Sequence, residues 1–383
     1  MDYAKKSLEL HRKLKGKIGT KPKCKVNTPT DLALAYTPGV AAPCLAIARN
    51  SAESFNLTAR GNLVAVVTDG SAVLGLGNIG PAAGMPVMEG KCVLFKAFAN
   101  VDAVPICLNT QNADEIVSIV KALEPSFGGI NLEDISSPRC FEVETRLKKE
   151  LNIPVMHDDQ HGTAIVVAAA LTNAIKVAHK QKGNLKIVIN GSGAAGIAIG
   201  KLLLTMKFGN VVMVDRIGIL NKNNKSLPPH HLGIARISNK KNETGLLKDA
   251  LVGADVFVGV SAGNIVSLEM AKTMNKNAIV FAMANPVPEI LPEVAKKAGV
   301  CVMGTGRSDF PNQINNALVF PGMFRGTFDA HAMQITDKMK IAAVNAIASL
   351  VKSNELNKNY VIPSPLNKRV VPAIAKAVAK AAR

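Results

Sequence analysis

Tryptophan is absent from this chain of 383 residues, tyrosine occurs three times, and aromatics make up only 4% of it. Stacking platforms for single-stranded nucleic acid are therefore scarce. The six cysteines, at 24, 44, 92, 107, 140 and 301, contain no CxxC pair. That spacing argues against a zinc knuckle and against a disulfide framework, and it suits thiols in a reducing compartment. The N-terminal stretch MDYAKKSLELHRKLKGKIG has no apolar h-region, so a signal peptide is not expected. Apolar runs are broken by glycine or proline well short of the ~18 residues of a membrane span. Together these absences point to a cytoplasmic protein without a membrane partner. No internal repeat is present.

Hydrophobic residues make up 48% and charged residues 19%, a composition that folds rather than staying disordered. The length suits two or three domains. The formal net charge is +18, which admits a nucleic-acid-binding protein with a degenerate dinucleotide fold as an alternative of another class. The lysines, however, are scattered through loops, as in Asn221–Lys225 and Asn239–Lys241. A basic, solvated surface that draws in acidic small molecules is the better reading, with no nucleic-acid partner.

Strand-like runs alternate with helical ones, which predicts an α/β fold. The first unit carries LVAVVTDG (63–70), VDAVPICLN (101–109), FGGINLEDI (127–135) and NIPVMHDD (152–159), with a helix across 114–123. The segment 75–91 reads as a glycine-rich loop, and an alanine-rich helix is expected over 162–180. The second unit, with strands at 185–190, 210–215, 254–261, 277–286 and 300–305, has the alternation of a doubly wound, Rossmann-type sheet. Domain boundaries are expected as 1–161 and 162–383, the second including a helical C-terminal tail.

Gly191, Gly193 and Gly196 satisfy GxGxxG between a strand and a helix, with Ala194 and Ala195 inside the turn. This is the dinucleotide fingerprint, with amide donors at the helix start for the pyrophosphate. Asp215 ends the second strand, nineteen residues after Gly196, where a carboxylate can accept from ribose hydroxyls and repels a 2′-phosphate. Arg216 beside it leaves NADP open, so the cofactor is NAD with NADP as the alternative. Two acidic pairs, Glu133–Asp134 and Asp158–Asp159, close successive strands. Carboxylates converging there need a cation, and oxygen ligands suit Mg²⁺ or Mn²⁺; His157 and His161 leave zinc as another option. Lys91, set among apolar residues, is a candidate base with a lowered pKa, or else a lysine snorkelling at a helix start. Tyr36, before Pro38–Gly39, is a candidate acid or a core edge.

YTPGVA (36–41), VVTDGSAVLGLGNIGPAAGMPVMEGK (66–91), NLEDI (131–135), HDDQHGTA (157–164), INGSGAAG (189–196), ANPVPE (284–289) and GRSDFPNQINNALVFPG (306–322) together resemble the malic enzymes of short bacterial type, across roughly four-fifths of the chain. The resemblance implies oxidative decarboxylation of L-malate to pyruvate and CO₂ by a homodimer or higher homo-oligomer. It implies Lys91 as general base, Tyr36 as general acid, and Glu133, Asp134 and Asp159 as metal ligands, with Asp158 supporting them or facing the substrate. Asn285 and Asn316 would hold malate, with Asn315 as the neighbour that competes for that role. Larger family members carry a substrate-gripping arginine where this chain has Ala72, which leaves that grip unassigned here. A malolactic conversion of malate to lactate with tightly held NAD is the nearest alternative, although that family's chains are typically longer.

Overall fold

The computed structural model describes residues 3–73 and 75–383. Two parallel sheets carry the chain. The first has the order β2-β1-β3-β4, from Leu63–Thr68 (β1), Asp102–Cys107 (β2), Gly129–Leu132 (β3) and Val155–His157 (β4). Apart from Leu63 every residue of β1, β3 and β4 is buried, as expected for parallel strands covered on both faces. The second sheet has the order β10-β9-β8-β5-β6-β7. Its strands are Leu185–Asn190 (β5), Gly209–Asp215 (β6), Gly218–Ile219 (β7), Val256–Gly259 (β8), Ile279–Ala282 (β9) and Val302–Thr305 (β10). All pairings here are parallel except β6 with β7. The chain runs outward from β5 in both directions, to β6 on one side and β8 on the other, so the crevice beyond β5 is a topological switch point. The α/β class and the Rossmann-type second sheet agree with the sequence.

The 20-residue helix Asp158–Val177 joins the sheets, and fourteen of its residues are buried. A helix apolar on all sides belongs in an interior. It begins four residues earlier than the sequence suggested, so the boundary expected after residue 161 falls inside it. Its first turn carries Asp158 and Asp159, where carboxylates meet the positive end of the helix dipole.

The segment 75–91 is not all loop. Helix Pro81–Ala99 starts within it, with proline at the first position and Asn100 (φ 49°) closing the end. Gly84, Pro86 and Gly90 hid the helix, yet its buried residues Met88, Lys91, Cys92, Phe95 and Ala99 keep the spacing of one helical face. Lys91 therefore sits in the middle of a buried helix face rather than at a helix start.

The C-terminal helices Phe320–Asp329 and Val370–Ala382 pack against each other and against helix Pro81–Ala99, and helix Asp337–Ser349 packs on helix Asp158–Val177. Phe320 and Phe324 lie edge-on to Phe95, with ring centroids at 4.7 and 5.4 Å. Each such aromatic pair adds about 0.5–1.5 kcal/mol beyond its burial. The tail thus returns to the first sheet's helices instead of extending the dinucleotide unit.

Candidate active site

β1, β3 and β4 are parallel and in register, with Leu132 level with His157. The residues that follow them, Asp69, Glu133–Asp134 and Asp158–Asp159, therefore emerge along one sheet edge. The structure brings the two acidic pairs together. Ligand oxygens of Glu133, Asp134 and Asp159 lie within 4.8 Å of one another, and Asp134 N–H donates to Asp159 Oδ2 at 2.8 Å. Asp134 holds a left-handed backbone (φ 52°), a conformation that aspartate tolerates better than most residues.

Lys91 reaches into this cluster from its helix. Its Nζ donates to Asp158 Oδ2 at 2.7 Å and lies 2.8 Å from Glu133 Oε1, with all three side chains buried. The Phe320 ring covers the ammonium at 4.3 Å from its centroid, a favourable cation–π contact. Burial opposes the charge on Lys91, but Asp158 and Glu133 outweigh it and raise its pKa above the ordinary lysine value. The lowered pKa expected for a base is thus reversed: in this arrangement Lys91 is an ammonium, because two carboxylates sit against it. Burial, together with Asp159, Asp158 and Asp134 and against the pull of Lys91, pushes the Glu133 carboxyl well above the usual carboxylate range. Four carboxyl groups crowd around one ammonium, and an all-oxygen donor set suits a hard divalent cation. The residues fit Mg²⁺ or Mn²⁺. Neither His157 nor His161 belongs to the cluster of converging ligand atoms.

Gly162 packs against the site in a way the sequence did not show. A Cβ there would meet Asp158 Oδ1 at 1.9 Å and Asn316 Cβ at 3.2 Å. Asn316 thus lies beside the Lys91–Asp158 pair. Asn315 Oδ1 caps Ala317 N–H at 2.8 Å, whereas among the described residues no such bond occupies the Asn316 side chain. Asn285 stands where the glycine-rich loop of the first unit meets the second, its carbonyl 2.5 Å from where a Gly75 Cβ would be. Glu289 was also missed. It is fully buried, and its two oxygens accept Ser261 N–H (2.9 Å) and Ala284 N–H (3.0 Å), tying the loop after β8 to the one that presents Asn285.

At the switch point, Gly191 adopts φ 110° against Val260, and a Cβ on Gly196 would meet Gly191 O at 1.7 Å. Nothing lies within 4 Å of a Cβ on Gly193, which leaves room for a pyrophosphate at the start of helix Ala194–Thr205, where Ala194 and Ala195 lie. Asp215 ends β6 half-buried, accepting Arg216 N–H at 2.6 Å, with His231 Nε2 at 3.6 Å. The Arg216 side chain is exposed.

Tyr36 does not join the cluster within its own chain. It is 68% exposed, at the end of helix Pro29–Ala35, which buries none of its residues.

The family described as malic enzyme, N-terminal domain, matches residues 15–148, and malic enzyme, NAD binding domain, matches residues 160–383. The chain is 56% identical to the bifunctional malic/malolactic enzyme of Bacillus subtilis, over 100% of this chain and 93% of that protein. It is 55% identical to the NAD-dependent malic enzyme of Geobacillus stearothermophilus, over 96% and 77%. The crystal structure of the NAD-dependent malic enzyme from Thermotoga maritima superposes with a TM-score of 0.94 at 51% identity, covering 97% of this chain and 98% of that one. With both domain families matched in order, and with an acidic cluster that could hold a divalent cation, the chain belongs to the malic enzyme family, NAD(P)-dependent enzymes that oxidise and decarboxylate malate to pyruvate and CO₂.

Proposed function

We propose that the Lys91–Asp158 pair is the proton-transfer centre of this reaction and that Glu133, Asp134 and Asp159 hold the divalent cation. The observation that carries this reading is the buried contact of Lys91 Nζ with Asp158 and Glu133. When bound, the cation would lower the pKa of the malate C2 hydroxyl and stabilise the oxygen on which charge develops. Lys91 must first give up its proton, and Asp158, buried with Oδ1 unpaired, is the adjacent acceptor. Neutral Lys91 then takes the C2 hydroxyl proton, and a bound NAD would serve as the acceptor of the hydride lost from C2. Loss of the C4 carboxylate as CO₂ sends its bonding electrons through C3 to the C2 oxygen, and Lys91 returns its proton there. Protonation of C3, with the enol O–H proton passing back to Lys91, completes pyruvate. Asn316 and Asn285 orient the carboxylates of malate, and no side chain at Ala72 competes for them.

Tyr36 serves as the C3 acid only if its phenol reaches a buried site, and on its own chain it stands in solvent. A homodimer in which a second copy supplies Tyr36 reconciles the two facts. The exposed apolar residues Leu32, Leu34, Tyr36 and Leu45 support such an interface. Tyr36→Phe should slow turnover by about 10²-fold or more, in the range of a lost acid. Mixing it with Lys91→Ala, itself inactive, should restore part of the activity through hybrid dimers. Normal turnover in Tyr36→Phe, or no recovery on mixing exchanged subunits, would remove this role.

For the cofactor we propose NAD, because Asp215 ends the second strand of the dinucleotide fold, the position from which a carboxylate accepts from ribose hydroxyls and would repel a 2′-phosphate. Asp215→Ala should raise kcat/KM for NADP relative to NAD by about tenfold, ~1.4 kcal/mol; an unchanged ratio would count against the ribose contact. Cytoplasmic residence is supported by six free cysteines. Among the described residues no helix is long and apolar enough to cross a membrane.

The likeness to a bifunctional malic/malolactic enzyme that this chain covers almost completely favours a second reading, conversion of malate to lactate on retained NAD. A length argument against it fails at that coverage. An assay at 340 nm with L-malate, crossing NAD and NADP with Mg²⁺ and Mn²⁺ while measuring pyruvate and lactate, tests both. NADH stoichiometric with pyruvate is expected; lactate without net NADH would overturn the first reading in favour of the second.

A further inference from the structure

A cavity of about 460 Å³ opens on the flank of helix Ala194–Thr205, and the proposed chemistry does not use it. Helices Arg139–Glu150, Asp158–Val177, Pro229–Ile237 and Asp337–Ser349 supply its other walls, so it lies where the two units meet. Ile197, Lys201 and Thr205 line it, one residue from each successive turn. It therefore runs beside that helix rather than at its start, where the dinucleotide crevice is. Ile197, Leu202, Ile234 and Phe141 form an apolar wall, with the His230 ring 5.8 Å from the Phe141 ring between centroids.

Three lysines from three different helices line this space, Lys148, Lys201 and Lys340. Lys340 is only 8% exposed, a placement that costs free energy unless an anion compensates it. Its partner Asp337, at 3.0 Å, has a side chain 74% exposed, so water weakens that pair. Burial and the nearby Lys148 hold the Lys340 pKa below the ordinary lysine value, with Asp337 and Glu144 pulling the other way. Lys148 is engaged by Glu144 at 2.6 Å. The exposed Lys201 has no carboxylate within 4 Å among the described residues. Three ammonium groups against the carboxylates of Glu144 and Asp337 leave the cavity positive.

We propose that this cavity is a binding site for an organic phosphate, separate from the dinucleotide crevice. The phosphate meets Lys148, Lys201 and Lys340, and the carbon body lies against Phe141, Ile197, Leu202 and Ile234. Lysine binds phosphate as a point charge, and ammonium groups converging from three helices match a dianion better than a lone carboxylate. The volume falls within the roughly 300–1,000 Å³ of small-molecule pockets. It far exceeds what a bare phosphate fills, and the apolar wall calls for an organic body. The site stands independently of the metal and proton-transfer assignments above.

The test is isothermal titration calorimetry of the full chain with phenyl phosphate, in metal-free buffer with saturating NADH to fill the crevice. One phenyl phosphate per chain should bind, with a Kd of about 1 mM or lower. Lys201→Met and Lys340→Met should each raise that Kd about tenfold or more, as expected for a lost hydrogen bond to a charged group. Their NADH Kd, and their kcat for malate without phenyl phosphate, should stay within about twofold of the parent's. Lys201→Met, at an exposed position, decides the matter if Lys340→Met does not fold. Inorganic phosphate, which has no body to bury, should bind about tenfold more weakly or worse, and so should succinate, which has no phosphate. Absence of saturable binding, or a phenyl phosphate Kd unchanged in the variants, would overturn the site. Binding to the parent that NADH abolishes would place the ligand in the crevice and overturn it too. Succinate binding as tightly as phenyl phosphate would overturn the phosphate class, and inorganic phosphate doing so would overturn the organic body.

Discussion

Lys91→Ala is expected to lower kcat by about 10²–10⁴-fold while leaving divalent metal binding intact. The lysine is the only cation in contact with Glu133 and Asp158 among the described residues, so its removal has two separable consequences. It deletes the group that takes the hydroxyl proton and returns it to the enolate oxygen. It also leaves buried carboxylates facing one another, and breaking a buried ion pair on one side costs about 3–5 kcal/mol. A divalent cation relieves part of that repulsion. The melting temperature of Lys91→Ala should therefore fall in metal-free buffer and recover substantially with Mn²⁺, more than the parent gains. Mn²⁺ should bind at least as tightly, because the competing ammonium is gone. Turnover close to the parent's would end the assignment of Lys91 to proton transfer. Loss of activity together with loss of metal binding would show that Lys91 instead builds the acidic cluster.

The second large effect comes from a single methyl group. Gly162→Ala places a Cβ 1.9 Å from Asp158 Oδ1, far inside contact distance. Alanine is the better helix former by about 1 kcal/mol, so propensity alone predicts a more stable protein. The clash decides the opposite, because Asp158 is fully buried and has little space in which to turn. Its carboxylate must leave Lys91, or the helix start must shift and carry Asp159 with it. Activity should fall by at least ~10²-fold, an effect measurable as NADH formation with malate and Mn²⁺. Gly193→Ala offers the contrast: among the described residues nothing lies within 4 Å of its Cβ, so melting should be little changed and the loss should appear as a raised KM for NAD. A Gly162→Ala enzyme within threefold of the parent would mean that Asp158 has another productive position.

Much of the architecture is written in local patterns. Runs such as LVAVVT and LKIVIN are too apolar and β-branched for surface helices, and the strands stand where those runs lie. The stretch GSGAAG between strand and helix needs no tertiary information, because each glycine answers a backbone constraint within a few residues. Helix Pro81–Ala99 shows where that approach fails. Glycine and proline lower its intrinsic preference, and it forms because Met88, Cys92 and Phe95 are buried in the core, which supplies more free energy than propensity removes.

By itself, the sequence determined the class of fold, the dinucleotide crevice and the identity of the acids and lysine that meet. These follow from patterns only a few residues long and from motifs whose order along the chain is specific. Only the tertiary structure decided that Lys91 is an ammonium, since its charge depends on Asp158 and Glu133, residues distant along the chain but within 3 Å in space. It likewise showed Asn315 capping Ala317 and left Tyr36 facing solvent. Protonation state and side-chain orientation are set by neighbours across the fold, at distances that no linear spacing records.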